Sequence, residues 1–114
     1  MRLRSDLWVA AYLRRVELEG AYAALRRRGA AEAGAIFVKI DRLDGRVALF
    51  APAPQSEFAG RGVERLWARA HKPEWVDAEF VEARVAREMG FDPDLWLIEV
   101  EDRAGRCWLD LAKL

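Results

Sequence analysis

The chain has 114 residues, 53% of them hydrophobic, and balances 19 Lys and Arg against 19 Asp and Glu. That length suits one domain with a single core, and the composition excludes a disordered chain. Zero net charge leaves no global field to draw the molecule onto nucleic acid or an anionic membrane, so any such binding has to come from a local patch.

The N-terminal MRLRSDLWVAAYLRR lacks the apolar run of roughly 7 to 15 residues that a signal peptide needs. No window approaches the roughly 20 apolar residues that span a bilayer, so the expected location is cytoplasmic, with no membrane partner. Cys107 and His71 are the only residues of their kinds. An internal disulfide and a cysteine-rich zinc centre are thereby excluded. Sixteen arginines against three lysines, in a chain with twenty alanines, fit codon bias better than a dedicated anion site.

Ser5 is placed to cap a helix from Asp6 to Glu19, in which Val9, Leu13 and Val16 recur at helical spacing with Trp8 and Tyr12 widening the stripe. Gly20 ends it. Ala21 to Arg28 is read as a strand. GAAEAG then connects to AIFVKIDRL-DG-RVALFA, a β-hairpin signalled by Asp44-Gly45. A two-residue loop there pairs Ile40 with Leu49 and Val38 with Ala51, gathering Val38, Ile40, Val47 and Leu49 on one apolar side.

Residues 51 to 62, APAPQSEFAGRG, form an exposed excursion rich in Pro and Gly, and Val63 to Ala70 is a weaker fourth strand. Pro73 opens a second helix reaching Met89, closed by Gly90, with apolar stripes Ala78, Val81, Val85, Met89 and Val76, Phe80, Ala83. The lone His71 reads as a surface residue, because a ligand histidine would need partners. Phe91-Asp92-Pro93-Asp94 has the composition of a turn.

Leu95 to Glu101 is a strand with one dry side, Trp96, Ile98 and Val100. Pairing it through the turn at residues 102 to 105 with a final strand Arg106 to Leu111 sets Val100 opposite Cys107, Ile98 opposite Leu109 and Glu101 opposite Arg106. The expected architecture is one α+β domain, a mainly antiparallel sheet with β-hairpins and two helices packed on one face, in the order α-β-β-β-β-α-β-β.

Five carboxylates crowd residues 91 to 105, but Asp94 and Glu101 lie on the order of 23 Å apart at roughly 3.3 Å per residue, so they cannot all ligate one ion. Glu99 and Glu101 share a face, as any residues two apart on a strand do. Phosphate-binding loops, dinucleotide fingerprints, nucleophile elbows, zinc-protease motifs and calcium loops are all absent. No catalytic, cofactor-binding or metal-binding residue is therefore assigned, and no cofactor is expected.

The contact candidates are Arg26, Arg27 and Arg28, which could meet an anion or an acidic partner, and Asp92 and Asp94 at the turn. Alternation sends Arg26 and Arg28 to one side of the strand and Arg27 to the other.

The segments DLWVAAYLRR, RRGAAEAGAIFVKIDRLDGRVALFAPAPQ and FDPDLWLIEVEDRAGR resemble the bacterial family catalogued as domain of unknown function 1491. The similarity spans most of the chain, with GAIF, LFAPAPQ and FDPDLW together. Ala30 stands where that family carries an acidic residue. The resemblance implies no activity, cofactor or catalytic residue to carry over. The leading expectation is a non-enzymatic binding or adaptor protein using a sheet face or edge, with an unknown protein partner or a second copy as a homodimer. The alternatives are nucleic-acid binding through Arg26 and Arg28, and an enzyme of unknown reaction around Asp92, Asp94 or His71.

Overall fold

The structure is a computed structural model that describes residues 3–54 and 65–113. Most of the excursion at 51 to 62 and the start of the expected fourth strand lie outside those residues. In chain order the elements are α1 (Ser5–Leu18), β1 (Tyr22–Arg27), β2 (Ile36–Asp41), β3 (Arg46–Pro52), β4 (Trp67–Arg69), β5 (Val76–Asp77), α2 (Ala78–Phe91) and β6 (Trp96–Glu101). The α+β class holds, and no described helix is long and apolar enough to cross a membrane.

The sheet runs β1-β6-β2-β3-β4, with β5 paired to β3. Each pairing is antiparallel except that of β2 with β6. The last strand in the chain thus inserts between β1 and β2. That corrects the expected final hairpin, because both edges of β6 are already taken and no position remains beside it for residues 106 to 111.

Those residues instead run over the α1 side of the sheet as an irregular segment, with Cys107, Trp108 and Leu109 packed on the core and Leu111 bridged in parallel to Trp67 of β4. Trp108 has a φ of 53°, which an extended strand cannot hold. Arg106 pairs with Asp102 at 2.9 Å rather than with Glu101, and that bond holds the Asp102 carboxyl below its ordinary range.

The two helices lie on opposite faces, not on one. α1 sends Val9, Tyr12 and Val16 onto a face made by Val38, Ile40, Ala48, Phe50, Trp96, Ile98 and Val100. From α2, Val81 and Val85 meet Phe37, Val47, Leu49, Leu95 and Leu97. The second apolar stripe expected on α2 splits: Val76 is buried in the same cluster but from β5, while Phe80 and Ala83 stay outside, with Phe80 half exposed.

Covering both faces explains why the hairpin register differs by one residue from the expected one. The observed pairs are Val38 with Phe50, Ile40 with Ala48 and Asp41 with Val47, across a loop in which Leu43 and Gly45 have φ of 65° and 87°. Val47 and Leu49 therefore join Phe37 under α2. When each face of a sheet is buried, apolar residues stand at odd and even positions alike, and the pattern no longer selects a register.

α1 starts at Ser5, but Ser5 does not cap it: its hydroxyl donates to the Gly34 carbonyl at 2.7 Å. The stretch after Pro73 is not helical, since Val76 and Asp77 first add to β3 and α2 begins at Ala78. His71 is engaged rather than free. Its Nε2 accepts the Leu49 N–H at 3.0 Å and its Nδ1 lies 2.7 Å from the Pro73 carbonyl, so the ring substitutes for a strand partner at Leu49.

Candidate functional site

Insertion of β6 builds a feature that no single segment encodes. The parallel register sets Lys39 beside Glu99 and Asp41 beside Glu101, while β1 sets Ala24 and Tyr22 on the other side of the same two glutamates. One carboxylate oxygen each from Asp41, Glu99 and Glu101 lie within 4.8 Å of one another. All three side chains are on the α2 side of the sheet, beyond the apolar patch that α2 covers.

Between that patch and the acids sits a closed set of ion pairs. Lys39, 7% exposed at its side chain, reaches Glu82 on α2 at 2.8 Å and Glu99 at 3.6 Å. Arg26 makes two bonds of 2.9 Å to Glu82 and one of 3.1 Å to Glu99. The Arg26 bond, reinforced by Lys39 against the cost of burial, drives the Glu82 carboxyl down to about 2.

Glu99 is thus already committed to two cations, and Asp41 accepts the Leu43 N–H at 2.8 Å through Oδ1. Glu101 makes no ion pair among the described residues. These oxygens are of the type that hold a hard divalent cation, but such an ion takes six to eight ligands and here would compete with Lys39 and Arg26 for Glu99. The same carboxylates beside an exposed strand are suited to receiving basic side chains.

The sequence-derived candidates separate in space. A bulge between Leu25 and Arg27 makes Arg26 the extra residue and resets the alternation. Arg26 turns to the α2 side, and Arg28 lies 5.0 Å over the Trp96 ring, part of the core under α1. Arg27 donates to the Pro93 carbonyl at 2.9 Å. Each arginine has an internal partner, so the run does not present three unoccupied cations to one phosphate backbone.

Asp92 holds the turn, its Oδ1 accepting the Asp94 N–H at 2.9 Å. Asp94 acts through its backbone: its carbonyl accepts the Ala30 N–H at 3.0 Å. A Cβ on Gly29 or Gly34 would run into that same carbonyl. Nearby, the Trp96 indole donates to the Ala30 carbonyl at 2.8 Å. GAAEAG and FDPDLW, distant in sequence, therefore form one packed joint.

Asp41 and Lys39 were missed in the sequence because their role depends on which strand lies beside β2. The available signal was β6 itself, whose unbroken LeuTrpLeuIle run marks a strand buried on both faces and hence central.

On the α1 side, Trp8 stacks on Tyr12 with centroids 4.9 Å apart and meets Trp67 at 4.6 Å. These rings, with Ala11, Arg15, Trp108, Leu109 and Asp110, line a cleft of about 250 Å3. The Tyr12 hydroxyl donates to the Cys107 carbonyl at 2.6 Å, and burial raises its pKa beyond the ordinary range.

Residues 3–110 match the family model described as "Protein of unknown function (DUF1491)". Among solved structures, the crystal structure of a DUF1491 family protein from Caulobacter crescentus CB15 is similar at 36% identity and a TM-score of 0.79, covering 99% of this chain and 100% of that one. An NMR structure of a DUF1491 family protein from the same organism matches at 39% identity, a TM-score of 0.79 and 99% of each chain. The solution structure of protein Atu0922 from A. tumefaciens matches at 43% identity and a TM-score of 0.74, over 89% of this chain and 86% of that one. No curated protein matches.

Proposed function

This chain belongs to the DUF1491 family, and we propose that it acts as a non-enzymatic binding module that takes an extended, basic segment of a protein partner along β1. The observation that carries this reading is the junction of an open strand edge with an uncovered acidic strip. Among the described residues no strand pairs with the outer side of β1. Its unblunted part, Tyr22 to Leu25, precedes the bulge, and Tyr22 and Leu25 are 59% and 38% exposed.

Backbone groups on such an edge supply hydrogen bonds to an added strand, and alternate side chains supply specificity. A strand added there places every second side chain over Tyr22 and the small Ala24, toward Glu101, Asp41 and Glu99. Lysine or arginine at those positions complements the carboxylates. The acids of the neighbouring ion-pair set are engaged with Arg26 and Lys39, and Glu82 is driven away from the range of proton transfer at neutral pH, which supports a binding role over acid-base chemistry.

The test is an NMR titration of the labelled chain at low salt with two extended peptides, one alternating Lys with Val and one alternating Glu with Val. The basic peptide moves the Tyr22 to Leu25 amides, the effect weakens as salt rises, and the acidic peptide leaves them in place. β1 amides that ignore the basic peptide, or that respond equally to both, overturn the reading. Broadening of those amides with protein concentration alone assigns the edge to a second copy and overturns the basic partner.

A further inference from the structure

Along β3 the strand pairing has a gap, and the ring of His71 fills it. We propose that His71 is a pH-sensitive latch: the neutral ring closes the edge of β3 at Leu49, and a proton on its Nε2 opens that edge. The inference is independent of the β1 edge, because β6 and β2 separate β1 from β3.

The gap follows from the pairing. On the side of β3 away from β2, β4 takes Phe50 to Pro52 and β5 takes Arg46 and Val47. Between those two short strands the chain leaves the sheet, over residues 70 to 75. Leu49 stays bonded through its carbonyl, which accepts the Ala70 N–H at 2.9 Å. Its own N–H has no strand partner and donates to His71 Nε2 at 3.0 Å. Leu49 is fully buried, and a buried N–H without an acceptor is costly, so this bond replaces one rung of the ladder.

The two partners assign the proton on the ring. A backbone N–H can only donate, so Nε2 carries a lone pair. Nδ1 lies 2.7 Å from the Pro73 carbonyl, which can only accept, so Nδ1 carries the hydrogen. This tautomer of the neutral ring satisfies both bonds. The other sets N–H against N–H and lone pair against oxygen. An imidazolium keeps the Pro73 bond but presents a second donor to the Leu49 N–H. With both nitrogens occupied, the latched ring has no lone pair to lend to a metal ion or a substrate.

Neighbouring charges do not reward protonation. Arg69 of β4 and Lys72 line the space on one side of the ring. On the other side stand Arg46 of β3, Asp77 of β5 and Lys72 again. From α2, the Phe80 ring meets the imidazole edge-on at 6.2 Å, and Arg84 donates to the Ala70 carbonyl at 3.0 Å. The two carboxylates are turned to other cations, Asp77 to Arg46 at 2.8 Å and Glu74 to Arg69 at 3.9 Å. A charged ring therefore loses the Leu49 bond and gains no ion pair among the described residues. The bonded form is the neutral one, so the latch is closed at neutral and alkaline pH and opens as the ring takes up a proton.

The experiment uses the full chain labelled with nitrogen-15, in which the only histidine gives an unambiguous ring signal. Long-range proton–nitrogen spectra at about pH 8 should show the Nδ1–H tautomer, and lowering the pH toward about 5 covers the ordinary range of a histidine. Hydrogen-exchange protection of the Leu49 amide, corrected for the intrinsic rate, should fall tenfold or more with the same midpoint as the ring signal. Protection at Ile98, in the centre of the sheet, should not change. In His71→Gln, which cannot take up a proton, the pH step at Leu49 should disappear, and in His71→Ala the amide should be unprotected throughout. The opposite tautomer at about pH 8 would overturn the proposal, as would a Leu49 amide equally protected beside a charged ring. So would a ring that stays neutral until the chain unfolds, or a pH step at Leu49 that survives in His71→Gln.

Discussion

The two ends of β6 are held by different physics. At the N-terminal end, Leu95 to Leu97 are buried on both sides and the preceding carbonyl of Asp94 is gripped by a loop that comes within backbone contact. At the C-terminal end, Glu99 and Glu101 face an open strip where charged side chains set the distances. Steric contact falls off within a fraction of an ångström, whereas charge acts over several and is screened by water. One end therefore tolerates almost no change and the other tolerates a good deal, which leaves the tolerant end available for a partner.

Substitutions at the two ends test that contrast directly. Gly34→Ala is expected to have the largest effect, because its Cβ would meet the Asp94 carbonyl, the Trp96 indole nitrogen and the Ala30 backbone at once. Overpacking against rigid backbone costs roughly 1 to 3 kcal/mol, and the upper end is expected in urea denaturation. Gly90→Ala, a glycine with nothing near its Cβ position, is the control and should leave the midpoint unchanged or raise it. Equal effects at the two glycines would mean that close contact with the Asp94 carbonyl is not what makes the N-terminal end intolerant.

Next in size is Lys39→Ala at the boundary. It withdraws a buried cation from Glu82 and Glu99 and deletes an aliphatic stem, for about 2 kcal/mol. Smaller again is Glu82→Gln, whose effect depends on pH. The folded carboxyl titrates at about 2 against an unperturbed 4.5, so its contribution is fully present above about pH 4.5 and disappears as pH falls through about 2. Denaturation curves of wild type and variant should separate at pH 6 and converge toward pH 2. A gap that stays constant with pH would locate the effect in packing, not in charge.

How much was legible in the sequence follows the same contrast. Local signals read well: the Val9 and Val16 stripe, the Gly20 stop and β1 after it stand where the pattern placed them, and the hairpin does bend at Asp44-Gly45, though its loop also takes in Leu43 and so shifts the register by one. The faces of β6 were also right, with Trp96, Ile98 and Val100 inward toward α1. What failed was adjacency. Pairing β6 with residues 106 to 111 matched apolar to apolar, and Cys107 to Leu109 do pack on the core of its dry side, but from across the face and not along the edge, while Leu111 bridges β4. Periodicity reports which side of a strand is buried and carries no information on which strand lies beside it. Hence Glu99 and Glu101 could be placed on one face, while Asp41 and Lys39 could join them only once β6 was known to lie next to β2.

The smallest effect on stability belongs to Glu101→Gln, and it separates the structural half of the acidic strip from the half proposed to bind. Glu99 is already paired to Arg26 and Lys39, so removing it would disturb the fold and any partner together. Glu101 has no ion pair among the described residues and lies within 4.8 Å of two other carboxylates, so the folded state gains little from its charge. Relief of that repulsion offsets any loss, and the change in denaturation midpoint should correspond to less than about 0.5 kcal/mol. The same substitution deletes the carboxylate beside Tyr22 on the open edge, so affinity for the Lys-alternating peptide should fall several-fold with the fold unchanged. A variant that loses stability but keeps peptide affinity would mean that Glu101 serves the joint and not the edge.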